Sequence, residues 1–360
     1  MSKLWVRGLR PRLRHLKNRF RPRNLRLADQ NPNLYGKPSS HTQAYKKDSE
    51  AYLDSVPEPL NPDFTRFHAF AERAIWYLRD IHFLPRHSVL AAGRRIISDS
   101  KTSGAQGASR PLFAFVARAP DDHQWLPLGH QPWNYYHWLL EDLPAVIRGR
   151  NAVADLSIAL PPAPPLFVTD SLELLGVPFR IFPSVTRFRR VVLPGRGVDP
   201  GWPHRDDVQL LRDFGMQLGM NTPADRSGRK IMVSRRYSTR GLENEAEFES
   251  WLAERGFEVL YAERFSFAEQ VNVFSQASVI VGPHGAGLSN LVFSSPSAAL
   301  IEVGSPLRAD PCFENLARVL GCPYSRVFAT PGKWVDSSIL DSDGFESIDR
   351  VLTALQVEKG

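Results

Sequence analysis

Only two cysteines, Cys312 and Cys322, occur in the 360 residues. Their separation matches no zinc-binding pattern, so a structural zinc module is not expected, and free thiols in a reducing compartment are predicted. Long apolar runs are missing as well. The longest, residues 278–281 and 298–303, have the length of strands and fall far below the ~18 residues that cross a bilayer. These two absences predict a soluble, cytoplasmic globular protein.

Acidic residues are missing from the first 26 positions, which hold ten lysines and arginines. The whole chain has a net charge of +7, so removing these ten positive charges leaves −3 for the remainder. A folded body that is not basic argues against a protein that reads nucleic acid across its surface. No apolar segment follows the basic residues, as a secretory signal would require. Two interpretations stay open: a disordered arm, or an arm on the anionic inner face of a membrane, where each cation contributes ~1 kcal/mol.

The chain divides into three predicted parts. Residues 1–62 form the basic arm and a linker rich in Pro, Asn and Ser, residues 63–222 an N-terminal α/β domain, and residues 223–360 a C-terminal α/β domain. A flexible loop is predicted at 99–110 and an interdomain joint at 221–228.

Strands and helices alternate along both predicted domains. Helices are expected at 134–149, 168–175 and 206–219, and strands at 75–78, 88–91, 96–98, 156–160, 179–182 and 188–193. In the second domain, helices separate strands at 230–234, 257–261, 278–281, 298–303 and 324–328, which indicates a parallel sheet with crossover connections. The fold class is therefore α/β.

Several residues predict where helices begin or bend. Asn244 with Glu247, and Ser266 with Glu269, have the spacing of capping boxes. Asp310-Pro311 predicts a helix with Asp as N-cap and Pro in the first turn. Pro144 predicts a kink in the helix at 134–149.

A strand that ends in a glycine-rich turn is the strongest candidate for a ligand site. Residues 279–290 read VIVGPHGAGLSN, with a helix predicted from about Gly285. Ligands of open α/β sheets lie beyond the carboxyl ends of strands, and a helix N-terminus offers amide groups that suit a phosphate. The segment lacks the Gly-Lys-Ser/Thr of a Walker loop and the spacing of a dinucleotide site. The alternative is a tight turn without a ligand.

Three arginines and one acid are predicted to share that edge of the sheet. Arg235, Arg236 and Arg240 follow the strand at 230–234, where they could clamp a diphosphate. Glu302 ends the next strand after the glycine turn, where a carboxylate can accept hydrogen bonds from ribose hydroxyls. The alternative for each is a solvated surface charge.

The helix predicted at 134–149 has an unusual polar face. At ~100° per residue, Asn134, His137, Trp138 and Glu141 gather on one side, with Asp142 at its edge. A tryptophan face can stack on the C–H groups of a sugar, and a carboxylate can act as a general base. The alternative is a His–Glu pair that only stabilises the helix.

Three segments, in order, resemble glycosyltransferase family 61, which includes bacterial members of the capsular polysaccharide biosynthesis type. Residues 134–141 are similar to its N-x-x-H-W-L-x-[D/E] segment, and Ser234-Arg235 with Arg240 to its serine–arginine stretch. Residues 269–293 resemble its E-Q…G-x-H-G-A-x-L-x-N-x-x-F signature. The resemblance covers about residues 70–330.

The resemblance implies an inverting, metal-independent glycosyltransferase of the GT-B fold, with two Rossmann-like domains facing each other across a cleft. It implies no cofactor, but a UDP-linked nucleotide-sugar co-substrate and a saccharide or lipid-linked saccharide acceptor. The N-terminal domain would present the acceptor and the C-terminal domain would bind the donor. Glu141 maps onto the acidic position and is the predicted base, with His137 as its partner and Asn134, Trp138 and Asp142 binding the acceptor. The predicted donor site comprises Arg235, Arg236, Arg240, His284, Gly285, Ala286, Gly287, Asn290 and Glu302.

Three rival functions stay open. A metal-dependent GT-A enzyme could use Asp341 and Asp343, although acids at a helix start are commonly caps. A polysaccharide pyruvyltransferase would consume phosphoenolpyruvate instead. A non-catalytic saccharide- or nucleotide-binding protein would need no base.

Overall fold

The computed structural model describes residues 24–25, 75–85, 89–92, 95–97, 116–120, 123–128, 134–195, 203–219, 228–238, 241–305, 310–333 and 337–357. Apart from residues 24–25, the predicted arm and linker at 1–62 lie outside the described residues. So do the predicted loop at 99–110, the joint at 221–227 and Arg240.

The N-terminal half contains, among the described residues, a mixed sheet of nine strands, numbered β1 to β9 in chain order: Asn24–Leu25, Ile75–Leu84, Val89–Ala92, Arg95–Ile97, Ala117–Arg118, Gln124–Pro127, Leu156–Leu160, Phe179–Ile181 and Thr186–Pro194. Their order in the sheet is β1-β4-β3-β2-β9-β6-β7-β8, with β5 paired to β9. The pairs β9-β6, β6-β7 and β7-β8 are parallel, as are β1-β4 and β5-β9, whereas β2 pairs antiparallel with β3 and β9, and β3 with β4. The loops between β2, β3 and β4 are too short for a crossover, so these strands fold back on one another. The sheet is therefore only partly of the Rossmann-like, parallel kind predicted for this half.

The helix predicted at 134–149 exists, but its middle is not α-helical. α1 (Tyr135–His137) runs into a π-helical segment (Trp138–Asp142), which continues as α2 (Leu143–Ala152). The amide of Leu143 donates to the carbonyl of Trp138, five residues back. A π-turn advances each residue by less than the angle of an α-helix, so side chains after Trp138 leave the faces that a uniform wheel assigns. Pro144 lies in the first turn of α2, directly after this wide turn, where it does not break the helix.

The C-terminal half contains a five-stranded sheet with parallel pairing throughout, as predicted. Its strands are Arg229–Val233 (β10), Phe257–Leu260 (β11), Ala277–Pro283 (β12), Ala299–Gly304 (β13) and Tyr324–Phe328 (β14), and separately Thr330–Pro331 (β15) pairs with Ser338–Ile339 (β16). The order of the five-stranded sheet is β11-β10-β12-β13-β14, so its first strand, β10, lies between the second and the third. The remaining α-helices are α3 (Leu166–Leu175), α4 (Arg205–Gln217), α5 (Glu245–Ala253), α6 (Phe267–Ser275), α7 (Cys312–Leu320) and α8 (Ser342–Val357), and 3-10 helices cover Ala262–Arg264 and Ala286–Phe293.

The predicted caps have different outcomes. The capping box of Ser266 and Glu269 is confirmed, because each side chain accepts a hydrogen bond from the other residue's amide. The box predicted at Asn244 is wrong: its amide side chain binds the backbone of Leu340 in both directions instead. Asp310 accepts from the amide of Cys312, which begins α7 slightly later than predicted.

The helices between the two sheets pack into one continuous apolar core. This cluster includes Leu139 and Val146 from the N-terminal half and Phe267 and Leu291 from the C-terminal half. Arg212 of α4 donates to the carbonyls of Val292 and Ser294, which ties the halves together further. In the part of the chain that the structure describes, no helix combines the length and apolar character needed to cross a bilayer.

Candidate active site

The loops after β10 and β12 meet at the point where the C-terminal sheet reverses its winding direction. From β10 the chain moves to β11 on one side, and from β12 it moves to β13 on the other. In open parallel sheets, ligands bind in the crevice that this reversal creates at the carboxyl ends of the strands. Arg235 follows β10 and His284 follows β12, so both lie at this crevice.

Arg235 packs across the glycine loop. Its guanidinium donates a hydrogen bond to the carbonyl of His284. A Cβ atom on Gly285 would lie 2.4 Å from Cδ of Arg235, so only glycine permits this contact without displacing the arginine. At Gly282, a Cβ atom would lie 2.6 Å from the carbonyl oxygen of Val233. The two glycines therefore bring a cationic side chain and a loop backbone together at the carboxyl edge of the sheet.

Two buried acids on α5 hold the loop that carries Arg235. The carboxylate of Glu245 accepts from the amide of Arg235 and from the hydroxyl of Ser234 (3.0 Å), and burial raises its pKa. Glu249 accepts from Ser234 (2.7 Å) and from the guanidinium of Arg236 (3.1 Å). Arg236 is thus tied to α5, whereas Arg235 is directed to the glycine loop.

The turn after β12 leads into a 3-10 helix. It begins at Ala286, and its first bond runs from the amide of Leu288 to the carbonyl of Gly285 (2.9 Å). The amides of Ala286 and Gly287 come before that bond, at the positive end of the helix. A Cβ atom on Gly287 would lie 2.9 Å from Cγ1 of Val233, so this backbone is packed against the end of β10.

Asn290 is not a donor contact, which corrects the sequence prediction. Its side chain is fully buried, and it donates to Gln270 (2.8 Å) and to the carbonyl of Gly287 (3.2 Å). Its oxygen accepts from the hydroxyl of Tyr135 at 2.6 Å. Asn290 therefore joins α1, α6 and the 3-10 helix.

Glu302 is also buried, which corrects its predicted exposure to ribose. One carboxylate oxygen lies 2.6 Å from Nδ1 of His284, and the other accepts from Tyr324 (2.5 Å) and Arg326 (3.1 Å). Burial by itself raises the pKa of Glu302, but the hydrogen bonds from His284 and Tyr324 outweigh it, and the pKa lies below its usual value. The ionised carboxylate accepts from Nδ1 of His284 and leaves Nε2 to contact a ligand.

Aromatic rings connect the glycine loop to the helix that carries Glu141. The ring of Phe313 lies 5.1 Å from that of His284 and 5.7 Å from that of Tyr136. Burial raises the pKa of Tyr136 well above its usual value, and the nearby Cys312 and Glu141 add to the effect. Glu141 and the glycine loop therefore lie on the same side of the molecule.

The predicted pair of His137 and Glu141 forms. Nδ1 of His137 lies 2.9 Å from a carboxylate oxygen of Glu141. The histidine side chain is 22% exposed and that of Glu141 is 5% exposed, so the pair lies at the edge of the core with the imidazole outermost. A carboxylate shielded from water and bonded to an imidazole has the environment of a general base.

Three predicted acceptor contacts belong to the scaffold. Trp138 is fully buried and donates from its indole nitrogen to Ser171 at 3.0 Å, so it is not free to stack on a sugar. Asp142 is 1% exposed. Asn134 caps α1 by accepting from the amide of Tyr136 at 2.9 Å. The assumed wheel put Trp138 on an outer face, but this face packs towards α3, which carries Ser171.

One group of potential metal ligands occurs among the described residues. Ligand atoms of His284, Asp310 and Cys312 lie within 4.8 Å of one another. Burial, followed by the nearby carboxylates, raises the pKa of the Cys312 thiol far above its usual value, so without a metal the thiol stays protonated at neutral pH. Asp341, from the D-x-D sequence, accepts from the amide of Gly344 (2.9 Å) at the start of α8, as a helix cap does.

Several residues of the site escape a sequence-only search. Tyr136 falls on the apolar side of the wheel, and Phe313 belongs to an ordinary amphipathic helix. Glu245 and Glu249 carry a usable signal, since two acids spaced i,i+4 lie within fifteen residues after Arg235 of the serine–arginine stretch. Tyr324 has no such signal, because its role depends on the pairing of β13 with β14.

Comparisons with known proteins cover the same elements. Residues 135–301 match the model of a protein family described as Glycosyltransferase 61. This region takes in Glu141, Arg235 and the glycine loop, and it is shorter than the range of about 70–330 expected from the sequence. A 59-residue segment is 39% identical to a protein named Beta-1,2-xylosyltransferase from Arabidopsis thaliana. That similarity covers 16% of this chain and 11% of the length of the plant protein.

Proposed function

Because the chain carries a glycosyltransferase 61 domain over residues 135–301, we propose that it transfers a sugar from a nucleotide sugar, UDP-linked, to a saccharide acceptor with inversion. The observation that carries this proposal is the contact between Arg235 and the His284 loop, together with the pair of His137 and Glu141 at the edge of the core. The partly parallel N-terminal sheet and the parallel C-terminal sheet are then the two lobes of a GT-B enzyme. Cell-surface polysaccharide synthesis, in which the acceptor is carried on a lipid, is the process we propose for it.

The donor diphosphate binds between Arg235 and the amides of Ala286 and Gly287. A guanidinium and a helix start suit phosphate oxygens. When the bond between the anomeric carbon and the diphosphate breaks, its electron pair goes to a phosphate oxygen. Arg235 and the two amides stabilise this charge because they are already in place before the reaction. Nε2 of His284 adds a contact, since Glu302 holds the ring by Nδ1.

Glu141 accepts the acceptor proton. The acceptor hydroxyl attacks the anomeric carbon from the face opposite the diphosphate, and its proton passes to the carboxylate as the new C–O bond forms. His137 keeps the carboxylate in one orientation through their hydrogen bond. A single displacement of this kind inverts the configuration at the anomeric carbon.

A thermal-shift screen with UDP, GDP, CMP and phosphoenolpyruvate tests the proposed function. We expect a nucleotide, UDP first, to raise the melting temperature, because ligands that bind only the folded state stabilise it. Stabilisation by phosphoenolpyruvate alone would favour a pyruvyltransferase. No shift with any of the four would favour a non-catalytic saccharide-binding protein.

Removal of metal ions is expected to leave transfer unchanged. Arg235 and the loop amides supply the positive charge that a metal supplies elsewhere. The measurement is the transfer rate from the donor found in the screen, before and after dialysis against EDTA. If EDTA abolishes transfer and Mn²⁺ restores it, the metal-independent mechanism is wrong, and His284, Asp310 and Cys312 become the first ligands to examine.

A further inference from the structure

An exposed aromatic cluster lies directly after β10 and β11. Tyr237 is 64% exposed, and its ring lies 5.2 Å from that of Tyr261. The guanidinium of Arg264 lies over both rings, at 5.1 Å from Tyr237 and 4.7 Å from Tyr261. We call these three residues the tyrosine platform. An exposed aromatic ring that a guanidinium contacts offers a π-face to a flat ligand.

The platform borders the proposed diphosphate site. Tyr237 follows Arg235 by two residues in a turn closed by a bond from the amide of Ser238 to the carbonyl of Arg235. On the β11 side, a Cβ atom on Gly287 would lie 3.7 Å from Cβ of Ala262, the neighbour of Tyr261. The two amides that begin the 3-10 helix therefore adjoin the platform.

One acid holds the platform and the arginine loop together. Glu249 accepts from the hydroxyl of Tyr261 at 3.2 Å and from the hydroxyl of Ser234 at 2.7 Å. Its other oxygen binds the guanidinium of Arg236. Glu249 therefore fixes the distance between Tyr261 and the loop of Arg235. A site that binds a base next to a diphosphate needs such a fixed distance.

A buried ring links the glycine loop to the helix that carries Glu141. The ring of Phe313 lies against that of His284 and against that of Tyr136 on this helix. A donor whose diphosphate lies at Arg235 can then place its nucleoside against Tyr237, which follows Arg235 by two residues, while its sugar is directed towards Glu141.

We propose that Tyr237, with Tyr261 and Arg264, stacks the base of the nucleotide-sugar donor, an inference that rests on the proposed function. Every nucleobase has a π-face that aromatic rings and guanidinium groups bind. Tyr237 supplies the open face, while Tyr261 and Arg264 hold its ring in place. The platform contributes affinity for the nucleoside without touching the diphosphate.

The test compares UDP, GDP and inorganic pyrophosphate by calorimetry on the full chain and on the Tyr237→Ala and Tyr237→Phe variants. Stacking on one aromatic ring corresponds to roughly 5- to 150-fold in affinity. We expect Tyr237→Ala to weaken the preferred nucleoside diphosphate within that range and to leave pyrophosphate unchanged. Tyr237→Phe keeps the ring and is expected to bind like the wild type.

The outcomes separate this inference from the proposed function. If Tyr237→Ala binds the nucleoside diphosphate as tightly as the wild type, or loses pyrophosphate to the same extent, the stacking role is overturned. Tyr237 and Arg264 would then form only a surface cation–π pair, or Tyr237 would only support the Arg235 loop. If the wild type binds neither nucleotides nor pyrophosphate, the proposed function itself fails, and the base subsite with it.

Discussion

Replacing Glu141 by glutamine is expected to lower kcat by ~10²–10⁴-fold, the usual contribution of a general base. Glutamine has nearly the same shape, but it cannot accept the proton of the attacking hydroxyl. Phe313 separates His284 of the proposed donor site from the helix that carries Glu141, so the dissociation constant of the donor nucleotide should stay at its wild-type value. The measurements are steady-state kinetics with a radiolabelled donor and calorimetry with the nucleotide.

The same exchange at an unrelated ion pair is the matched control. Glu258 of β11 binds Arg229 at 2.6 Å on the protein surface, so Glu258→Gln removes a paired carboxylate without touching the site. This variant should keep wild-type kcat. Near-normal turnover in Glu141→Gln would remove Glu141 from the role of base, and His137 would be the next group to test.

Replacing Arg235 by alanine is expected to lower kcat/KM by ~10²–10³-fold, as the loss of one preorganised charge-stabilising donor does. The guanidinium is already held on the carbonyl of His284, so little reorganisation is needed when the leaving group develops charge. Donor affinity should fall too, because the same group contacts the ground-state diphosphate. Initial rates over a range of donor concentrations give both quantities.

Arg236→Ala provides the comparison for Arg235. Arg236 follows directly in sequence, but its side chain is 47% exposed and binds Glu249. Arg236→Ala should therefore lower kcat/KM far less than Arg235→Ala does. The melting temperatures of both variants are measured to exclude unfolding. Equal losses in the two variants, or wild-type kcat/KM in Arg235→Ala, would contradict the proposed diphosphate site.

Most of the correct predictions of strands and helix caps depend on residues that are close together in the chain. The strands at 156–160 and 324–328 have the predicted bounds, because short apolar runs between turn residues specify strands locally. The capping box of Ser266 and Glu269 forms for the same reason. The box at Asn244 does not, because Leu340, which lies 96 positions away, takes the asparagine side chain instead.

Buried polar residues are where the sequence prediction fails. Trp138, Asn290 and Glu302 were assigned to ligands because polar or aromatic groups near a predicted site are natural candidates. In the structure each is fully buried and bonded to protein atoms. A buried polar group must find a partner or lose stability, and a sequence pattern does not tell a ligand from such a partner.

Periodicity and short spacings in the chain are enough to predict the α/β class, the parallel C-terminal sheet, the family segments and the pairing of His137 with Glu141. Which polar residues face the crevice, and which hold it in shape, depends on tertiary packing. Tyr135 meets Asn290 across 155 positions, and Arg235 meets His284 across 49. Contacts of that range depend on how two sheets and a π-helical turn pack together, which no local pattern encodes.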